Sequence, residues 1–448
     1  MVMSQKTRIQ LGCALVLAPL MAGLTACGGG AKPLAGEAYD AAGQLSFGTA
    51  GKRDGADVDP DTPLSITAKG SGSRITDVVA TDGDGRTLTG ELTADGRGWR
   101  STTPLAAGAE YTVKVSTENG GGSPGRGVHT FRTRESDAQR LDVTFGPDAG
   151  TYGVGQPLTA TLSKGVGDQA GRAVVEAALN VTSEPAVEGA WHWVDDKELH
   201  YRPQEYWPAN ATITVTSQLD GLAVGKNLRG GESKKLKLTT GDRVEAVADI
   251  GSHHMTVSVN GEEVKTLPIT TGKEGFATRN GKKVILGREQ YVRMTGTSIG
   301  IPAGSADSYD LPVYWAARLT WSGEYVHGAP WSVGSQGSAN VSHGCTGLST
   351  DNAQWFYELV KPGDIVEHVN GFGEDMAPFG NGFGDWNLSW DEWLAGSALQ
   401  NTAADAPAGE TGGTGEAGKT TKKKAGTGRG DADGGNGEPA EARLTPAV

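Results

Sequence analysis

The chain has 448 residues, which is enough for three domains of roughly 100 to 150 residues with a core in each. It carries 53 acidic residues against 40 lysines and arginines, for a formal net charge of −13, and the part expected to fold has no dense basic stretch. Nucleic acid is therefore excluded as a partner. With only three cysteines, the fold does not depend on a framework of disulfide bonds.

The N-terminal segment has the pattern of a secretory signal. Lys6 and Arg8 precede an apolar run at residues 11–24. This run is too short to span a bilayer comfortably as a permanent helix. Residues 1–26 are therefore predicted to be a signal peptide.

The apolar run ends in Leu-Thr-Ala-Cys at residues 24–27, followed by three glycines. This ending resembles the lipobox of bacterial lipoproteins, which implies cleavage before Cys27 and a diacylglycerol on its sulfur. An ordinary signal peptide with a chance cysteine is the alternative. Residues 27–44, rich in Gly and Ala, are predicted to be a flexible linker.

Two blocks of β-strand patterns follow, at residues 45–137 and 138–242. Alternating runs such as YTVKVST at 111–117 and ATITVTS at 211–217 are separated by turn residues, and parts of the two blocks can be aligned. We interpret them as tandem immunoglobulin-like β-sandwiches. Four aromatic residues of the second block could form a sugar-binding face, although core positions are favoured: Trp191, Trp193, Tyr201 and Trp207.

The third block, residues 243–370, is also rich in strand patterns. Asn260-Gly261 lies between two alternating runs, which predicts a β-hairpin. One helix is predicted after Cys345, capped by Ser349 and ended by Pro362-Gly363.

Cys345 poses the main chemical question. If Cys13 is removed with the signal peptide and Cys27 carries lipid, Cys345 is the only free thiol of the mature chain. Such a thiol forms an intermolecular bridge, packs as a small hydrophobic residue, or acts as a nucleophile. Its position between a strand and a helix predicts a low thiol pKa, because amides at a helix start stabilise a thiolate.

A nucleophilic thiol needs a base, a group that orients the base, and amide donors for an oxyanion. His327 ends an alternating strand and is the candidate base, and His343 lies two positions before Cys345. Gly344 permits a tight turn that directs the amides of residues 344 and 345 at one spot. A zinc site built from both histidines and the cysteine is a minor alternative.

The order of these residues resembles the signature of the L,D-transpeptidase (YkuD) family. His327 is followed after fourteen residues by Ser342-His343-Gly344-Cys345, and the resemblance extends over roughly residues 243–397. Papain-like and NlpC/P60 enzymes have the reverse order, and sortases have a longer interval. Actinobacterial members carry one or two immunoglobulin-like domains before the catalytic domain. The resemblance implies a mainly β fold, with two immunoglobulin-like β-sandwiches followed by a β-rich YkuD-type catalytic domain with a short helix after the catalytic cysteine.

The resemblance also implies residue roles. Cys345 is the nucleophile, His327 the general base, and the Gly328 carbonyl holds the imidazole in its useful tautomer. His343 shapes the oxyanion site together with the amides of Gly344 and Cys345.

The resemblance further implies a flap over the active-site cleft at roughly residues 296–320. In relatives an asparagine commonly stands where this chain has Gly347, which puts one polar contact in doubt. Four further residues are expected to bind substrate: Tyr309, Trp315, Trp331 and Ser342.

The implied reaction is peptidoglycan cross-linking through a cysteine acyl-enzyme. The thiolate attacks the diamino acid at position three of a tetrapeptide stem, D-alanine leaves, and a second stem's amine completes a 3→3 link without a metal or organic cofactor. The expected partners are peptidoglycan stem peptides and, through the lipid, the outer face of the plasma membrane in the cell-wall space. An L,D-carboxypeptidase or hydrolase and a non-catalytic wall-binding lipoprotein are the alternatives.

Two C-terminal segments remain. Residues 371–399 are predicted to form a subdomain that packs on the catalytic domain through Trp386, Trp390 and Trp393, which are too apolar to remain in water. Residues 400–448 are rich in Gly, Thr, Ala and charge and are predicted to be disordered.

Overall fold

The computed structural model describes residues 38–48 and 57–400. Its first domain is a sandwich of a five-stranded sheet, in the order β1-β9-β8-β4-β5, and a four-stranded sheet, in the order β2-β3-β7-β6. The strands are β1 (Tyr39–Asp40), β2 (Leu45–Phe47), β3 (Ser65–Ala68), β4 (Arg74–Asp82), β5 (Thr87–Leu88), β6 (Gly90–Leu92), β7 (Gly98–Ser101), β8 (Glu110–Glu118) and β9 (Pro124–Arg132), with a 3-10 turn at Ala42–Gln44.

This sandwich begins earlier than the sequence predicts. Tyr39 pairs in parallel with Gly125, and its hydroxyl bonds Thr117 Oγ1 at 3.0 Å. A Cβ at Gly125 would lie 2.5 Å from Tyr39 Cζ, so only glycine leaves room for the ring. The prediction of a flexible linker reaching residue 44 is therefore wrong from Tyr39 onward.

The second domain is a sandwich of two four-stranded sheets, β11-β13-β16-β15 and β12-β20-β17-β14, beside a three-stranded sheet, β10-β19-β18. The strands are β10 (Gln139–Leu141), β11 (Val143–Gly146), β12 (Thr151–Tyr152), β13 (Leu158–Leu162), β14 (Leu179–Glu184), β15 (Gly189–Trp193), β16 (Glu198–Pro203), β17 (Thr212–Ser217), β18 (Ala223–Gly225), β19 (Leu228–Gly230) and β20 (Lys235–Thr240). The sequence analysis missed helix α1 (Gln169–Ala178), where the Asp168 side chain accepts from the Gly171 amide.

The four aromatic residues of this domain lie in its core. Each is at most 8% exposed, and the Trp207 indole donates to the Gln156 carbonyl at 2.8 Å. Because their faces pack against other core side chains, they form no sugar-binding surface: Trp191, Trp193, Tyr201 and Trp207.

The third domain has a five-stranded sheet, β23-β22-β21-β29-β24, and a four-stranded sheet, β25-β26-β27-β28. Its elements are β21 (Val244–Asp249), β22 (His254–Val259), β23 (Glu262–Pro268), β24 (Gly281–Val284), β25 (Gly287–Thr295), β26 (Asp310–Arg318), β27 (Tyr325–Gly328), β28 (Thr346–Leu348), helix α2 (Thr350–Leu359) and β29 (Ile365–Val369), with 3-10 turns at Gly296–Ile299 and Pro330–Ser332. The predicted fold class is thus confirmed.

Local signals predicted two features of this domain well. Asn260 and Gly261 both have positive φ, at 52° and 85°, as the two-residue turn between β22 and β23 requires. Ser349 caps α2 by accepting from the Asn352 amide, and Ala353 and Phe356 bury the helix against both sheets.

The C-terminal segment, residues 371–399, was predicted to pack on the catalytic domain, but it lies between two domains. It includes a 3-10 turn at Asp385–Asn387 and helix α3 (Trp390–Ala395). Asn387 bonds the amide and the carbonyl of Lys282 in the third domain, at 2.8 and 2.9 Å.

The tryptophans of this segment face the second sandwich instead. Trp386 donates to the Gly155 carbonyl and Trp393 to the Ala190 carbonyl, at 2.8 and 2.9 Å. The Arg202 guanidinium lies 4.9, 5.4 and 4.5 Å from the ring centres of Trp386, Trp390 and Trp393. The prediction that these rings pack on the catalytic domain is wrong, because the second sandwich offers the matching cation and carbonyls.

Close backbone contacts join the domains as well. The amides of Gly153 and Gly155 donate to the carbonyls of Pro362 and Gly363, at 2.8 and 2.9 Å. Between the two sandwiches, Arg86 donates to the carbonyl of Asp220 at 2.6 Å. No helix within residues 38–48 and 57–400 is long and apolar enough to cross a membrane. The predicted signal peptide, Cys27 and the C-terminal tail beyond residue 400 lie outside the described residues.

Replacing Trp393 by alanine should loosen the third domain from the second sandwich. This side chain is fully buried, so its loss should cost about 3–5 kcal/mol of stability and lower the unfolding temperature measured by calorimetry. Trp321→Ala, at a residue that is 51% exposed, is the matched control and should change stability by less than about 0.5 kcal/mol. Equal melting of both variants would contradict the assignment of this interface.

Candidate active site

Strand pairing brings the candidate base and the candidate nucleophile to one cavity. β27 and β28 pair in parallel, with His327 opposite Gly347. Cys345 lies two residues before Gly347, in the bend that leads into β28. His327 and Cys345 accordingly line one cavity of about 240 Å³.

The tautomer of His327 is fixed by its own strand. Its Nδ1 lies 2.9 Å from the Gly328 carbonyl, which can only accept, so Nδ1 carries the proton and Nε2 keeps its lone pair. Burial holds the pKa of His327 below its ordinary value. The imidazole is therefore neutral at pH 7, with Nε2 free to take a proton.

The prediction of a low thiol pKa is wrong. Burial raises the pKa of Cys345 to about 12, although its residue is partly exposed, and the Glu324 carboxylate adds to this rise. Helix α2 begins at Thr350, beyond β28, and its first-turn amides are engaged by Ser349 rather than by the thiol. The resting pair is consequently a neutral thiol and a neutral imidazole.

The loop before the cysteine is held by Ser342. The Gly344 amide donates to Ser342 Oγ at 3.1 Å, and the Ser342 hydroxyl donates to the Cys345 carbonyl at 2.6 Å. Gly344 has φ of 117°, which favours glycine at this turn. The Gly344 amide is therefore engaged within the loop, and it can support an oxyanion only by exchanging this bond.

His343 forms part of the cavity wall and packs between two aromatic rings. Its ring centre lies 4.7 Å from that of Phe276 and 4.9 Å from that of Tyr309. Burial lowers the pKa of His343, so this ring is also neutral at pH 7. Tyr309 lines the cavity, as the sequence predicts for a substrate-binding residue.

The other two predicted aromatic residues differ in position. Trp331 lines the cavity and is 51% exposed. Trp315 lies instead against the α2 side of the sheet, with its ring centre 5.3 Å from that of Tyr357. Its φ of 56° breaks the alternation of β26, which a sequence pattern cannot reveal, and Trp315 is not among the residues that line the cavity.

The predicted flap is shorter than expected. Residues 310–318 belong to β26, which pairs with β25 at every position except Trp315, so residues 296–309 form the connection between the two strands. The loop is closed by the Gly296 amide, which donates to the Tyr309 carbonyl at 2.9 Å. Its Asp307 is joined to Lys273 by an ion pair of 2.6 Å.

The presence of Gly347, where relatives commonly have asparagine, has a steric explanation. A Cβ there would lie 2.9 Å from Thr270 Cγ2 and 3.0 Å from Ala329 Cβ. Thr270 and Gly347 also exchange backbone hydrogen bonds at 2.8 and 3.1 Å. Thr270 and Ala329 thus fill the space that an asparagine would need.

Several cavity residues carry no local sequence signal. They come from distant parts of the chain, and only strand pairing assembles them: Thr270, Met294, Leu311, Val313, Ala329 and Val341. Within the described ranges, no three His, Cys, Asp or Glu side chains converge as a metal site.

A histidine of fixed tautomer beside a thiol, on a mainly β domain behind two sandwiches, defines a class of cysteine acyl-transfer enzymes. Comparison with known proteins specifies this class. Residues 55–223 match the bacterial Ig domain, and residues 243–367 match the L,D-transpeptidase catalytic domain.

The chain is similar to two curated proteins of Mycobacterium tuberculosis. It is 36% identical to L,D-transpeptidase 2, over 86% of this chain and 94% of that protein. It is 31% identical to L,D-transpeptidase 5, over 87% of this chain and 84% of that protein. The solved structure of the transpeptidase LdtMt1 in complex with imipenem is 37% identical, covering 51% of this chain and 99% of that chain, with a TM-score of 0.44.

The chain belongs to the L,D-transpeptidase family. The family predicted from the sequence, and with it the prediction of an enzyme, is confirmed.

The protonated state of the thiol can be tested by alkylation. Because the pKa of Cys345 is raised to about 12, its thiolate fraction should keep increasing above the pH range in which a free thiol ionises. The rate of iodoacetamide modification on the Cys345 peptide, measured by mass spectrometry, should therefore rise through about pH 10 without a plateau. A midpoint near pH 8.5 with a plateau by about pH 10, as for a free thiol, would show that burial does not control the ionisation of Cys345.

Proposed function

We propose that Cys345 and His327 catalyse 3→3 cross-linking of peptidoglycan stem peptides. The observation that carries this proposal is that both side chains line one cavity where β27 pairs with β28, with His327 Nδ1 held by the Gly328 carbonyl. The thiol and the imidazole are both neutral before substrate binds. His327 therefore acts as a general base during the attack and does not form an ion pair with Cys345 beforehand.

In the first half-reaction the sulfur attacks the carbonyl of the diamino acid at stem position three. His327 Nε2 takes the thiol proton and gives it to the nitrogen of the departing D-alanine, so that a thioester forms as the amide bond breaks. The Cys345 amide and His343 support the oxyanion in this proposal, since both residues line the cavity.

In the second half-reaction the side-chain amine of another stem attacks the thioester. His327 takes a proton from the amine, the new amide forms, and the sulfur leaves and recovers its proton. Apolar groups on the cavity wall, such as Met294, Leu311 and Val313, disfavour water in this space. Hydrolysis by water would make the enzyme an L,D-carboxypeptidase, which is the alternative outcome.

A carbapenem should acylate Cys345, because its strained ring carbonyl resembles the scissile amide. Intact-mass spectrometry should show one adduct, absent in Cys345→Ala and formed about 10²- to 10⁴-fold more slowly in His327→Ala. His254→Ala removes an exposed histidine of the same domain and should leave the rate unchanged. Equal rates for His327→Ala and His254→Ala would refute the role of His327.

Products decide between cross-linking and hydrolysis. With a disaccharide-tetrapeptide, the wild type should release D-alanine and form a dimer with a 3→3 bond, detected by tandem mass spectrometry. Tripeptide as the sole product would favour the carboxypeptidase.

We further propose that Cys27 carries a diacylglycerol that anchors the protein to the outer face of the plasma membrane. The lipobox-like residues 24–27 support this proposal. The two sandwiches would then hold the active site away from the lipid surface, within the wall that contains the substrate.

Cys27→Ala should move the protein from the membrane fraction to the medium, because the lipid attachment point is lost. Immunoblots of the two fractions measure the shift, and carbapenem labelling of the released protein should persist. Cys13→Ala, which changes a cysteine inside the predicted signal peptide, is the control and should stay in the membrane fraction. Retention of Cys27→Ala in the membrane would overturn the proposal.

A further inference from the structure

A buried ion-pair cluster lies behind the catalytic cysteine. Lys283 is fully buried, and its Nζ lies 2.8 Å from Glu324 Oε2 and donates to the Arg279 carbonyl at 2.7 Å. Arg279 donates to the other Glu324 oxygen at 2.8 Å. Glu324 is only 7% exposed. The cluster is therefore shielded from water at its centre.

The residues on either side of Glu324 hold the sulfur of Cys345. The thiol donates to the Gly323 carbonyl at 3.5 Å, and the Tyr325 backbone amide lowers the pKa of the thiol. The backbone of Glu324 is fixed in turn, since its amide donates to Thr320 Oγ1 at 2.8 Å. The carboxylate that binds both cations is thus part of the same three-residue segment that grips the nucleophile.

Stability alone does not account for such a cluster. Removing two charges from water costs several kcal/mol for each ion, and well-packed apolar residues often serve a core equally well. Buried, perturbed charges beside a cavity are typical of functional sites. The contacts of residues 323–325 indicate what the function is.

We propose that Glu324, fixed by Lys283 and Arg279, is a positioning residue for Cys345. It fixes the segment whose Gly323 carbonyl accepts from the thiol, and so sets where the nucleophile waits for substrate. In the free enzyme the thiol proton is directed at Gly323, and the thiol turns from that carbonyl to His327 when the reaction begins. This inference rests on the proposed function of Cys345 as the nucleophile.

The charges of Glu324 and Lys283 shift the pKa of the Cys345 thiol in opposite directions. Glu324 raises the pKa of Cys345 and Lys283 lowers it, so the two charges partly offset each other. Other titratable groups around the thiol are common to all variants considered below: His327, His343, His368, Tyr309 and Tyr325.

Three variants test the proposal: Glu324→Gln, Lys283→Met and the combination of both. Glu324→Gln should move the alkylation profile of Cys345 to lower pH and Lys283→Met to higher pH, each by about one unit, while the combination stays near the wild type. In all three variants the rate of acylation at saturating carbapenem should fall at least about tenfold, because the sulfur is misplaced. The carbapenem concentration that gives half of the maximal rate should change little.

Asp364→Asn is the matched control. Asp364 is fully buried and paired with Lys361 in the same domain, but neither residue contacts the thiol. This variant should lose thermal stability while keeping the wild-type alkylation profile and acylation rate. A variant that fails to fold can be replaced by the charge-neutral combination, which leaves no unpaired buried ion.

The outcomes are distinguishable. Alkylation shifts in one direction only, or an acylation loss that merely follows the melting temperature as in Asp364→Asn, would overturn the positioning role. Absence of any carbapenem adduct and of turnover in the wild type would instead overturn the proposed function of Cys345. Opposite alkylation shifts with a wild-type acylation rate would show an electrostatic effect without positioning, and would also overturn the inference.

Discussion

The parallel pairing of β27 with β28 is the constraint on which the catalytic site depends. It places His327 opposite Gly347, and His327 and Cys345 then line one cavity although eighteen positions separate them along the chain. The intervening residues make the turn at Pro330–Ser332 and the loop organised by Ser342. A shift of this register by one residue would turn the imidazole to the opposite face of the sheet.

Burial gives the pair its chemical character. A desolvated thiol and a desolvated imidazole both stay neutral, so the acid–base step waits for a substrate carbonyl. A neutral thiol is also a poor target for small oxidants. Reactivity is thereby tied to occupancy of the cavity rather than to a permanently ionised sulfur.

The domains are joined in a way that supports a fixed catalytic cavity. The segment after β29 inserts its tryptophans around Arg202 of the second sandwich and fastens Asn387 to Lys282 beside β24. Since β24 also carries Lys283 of the buried cluster, the interdomain contact and the support of the nucleophile share one strand. Rigid elements of this kind position reacting groups better than loops do.

The sequence by itself determined the mainly β class, the hairpin at Asn260-Gly261, the capped helix α2 and the pair Cys345–His327, because these follow from local turn chemistry, periodicity and a spaced motif. Only the tertiary structure decided the ionisation of the thiol, the position of Trp315 and the partner of the C-terminal tryptophans. These features depend on burial, on a residue with positive φ inside a strand, and on a cation from another domain. None of these can be read from the local sequence pattern. The cluster around Glu324 was hidden for the same reason, since its three charged residues meet only when β24 and the turn before β27 come together.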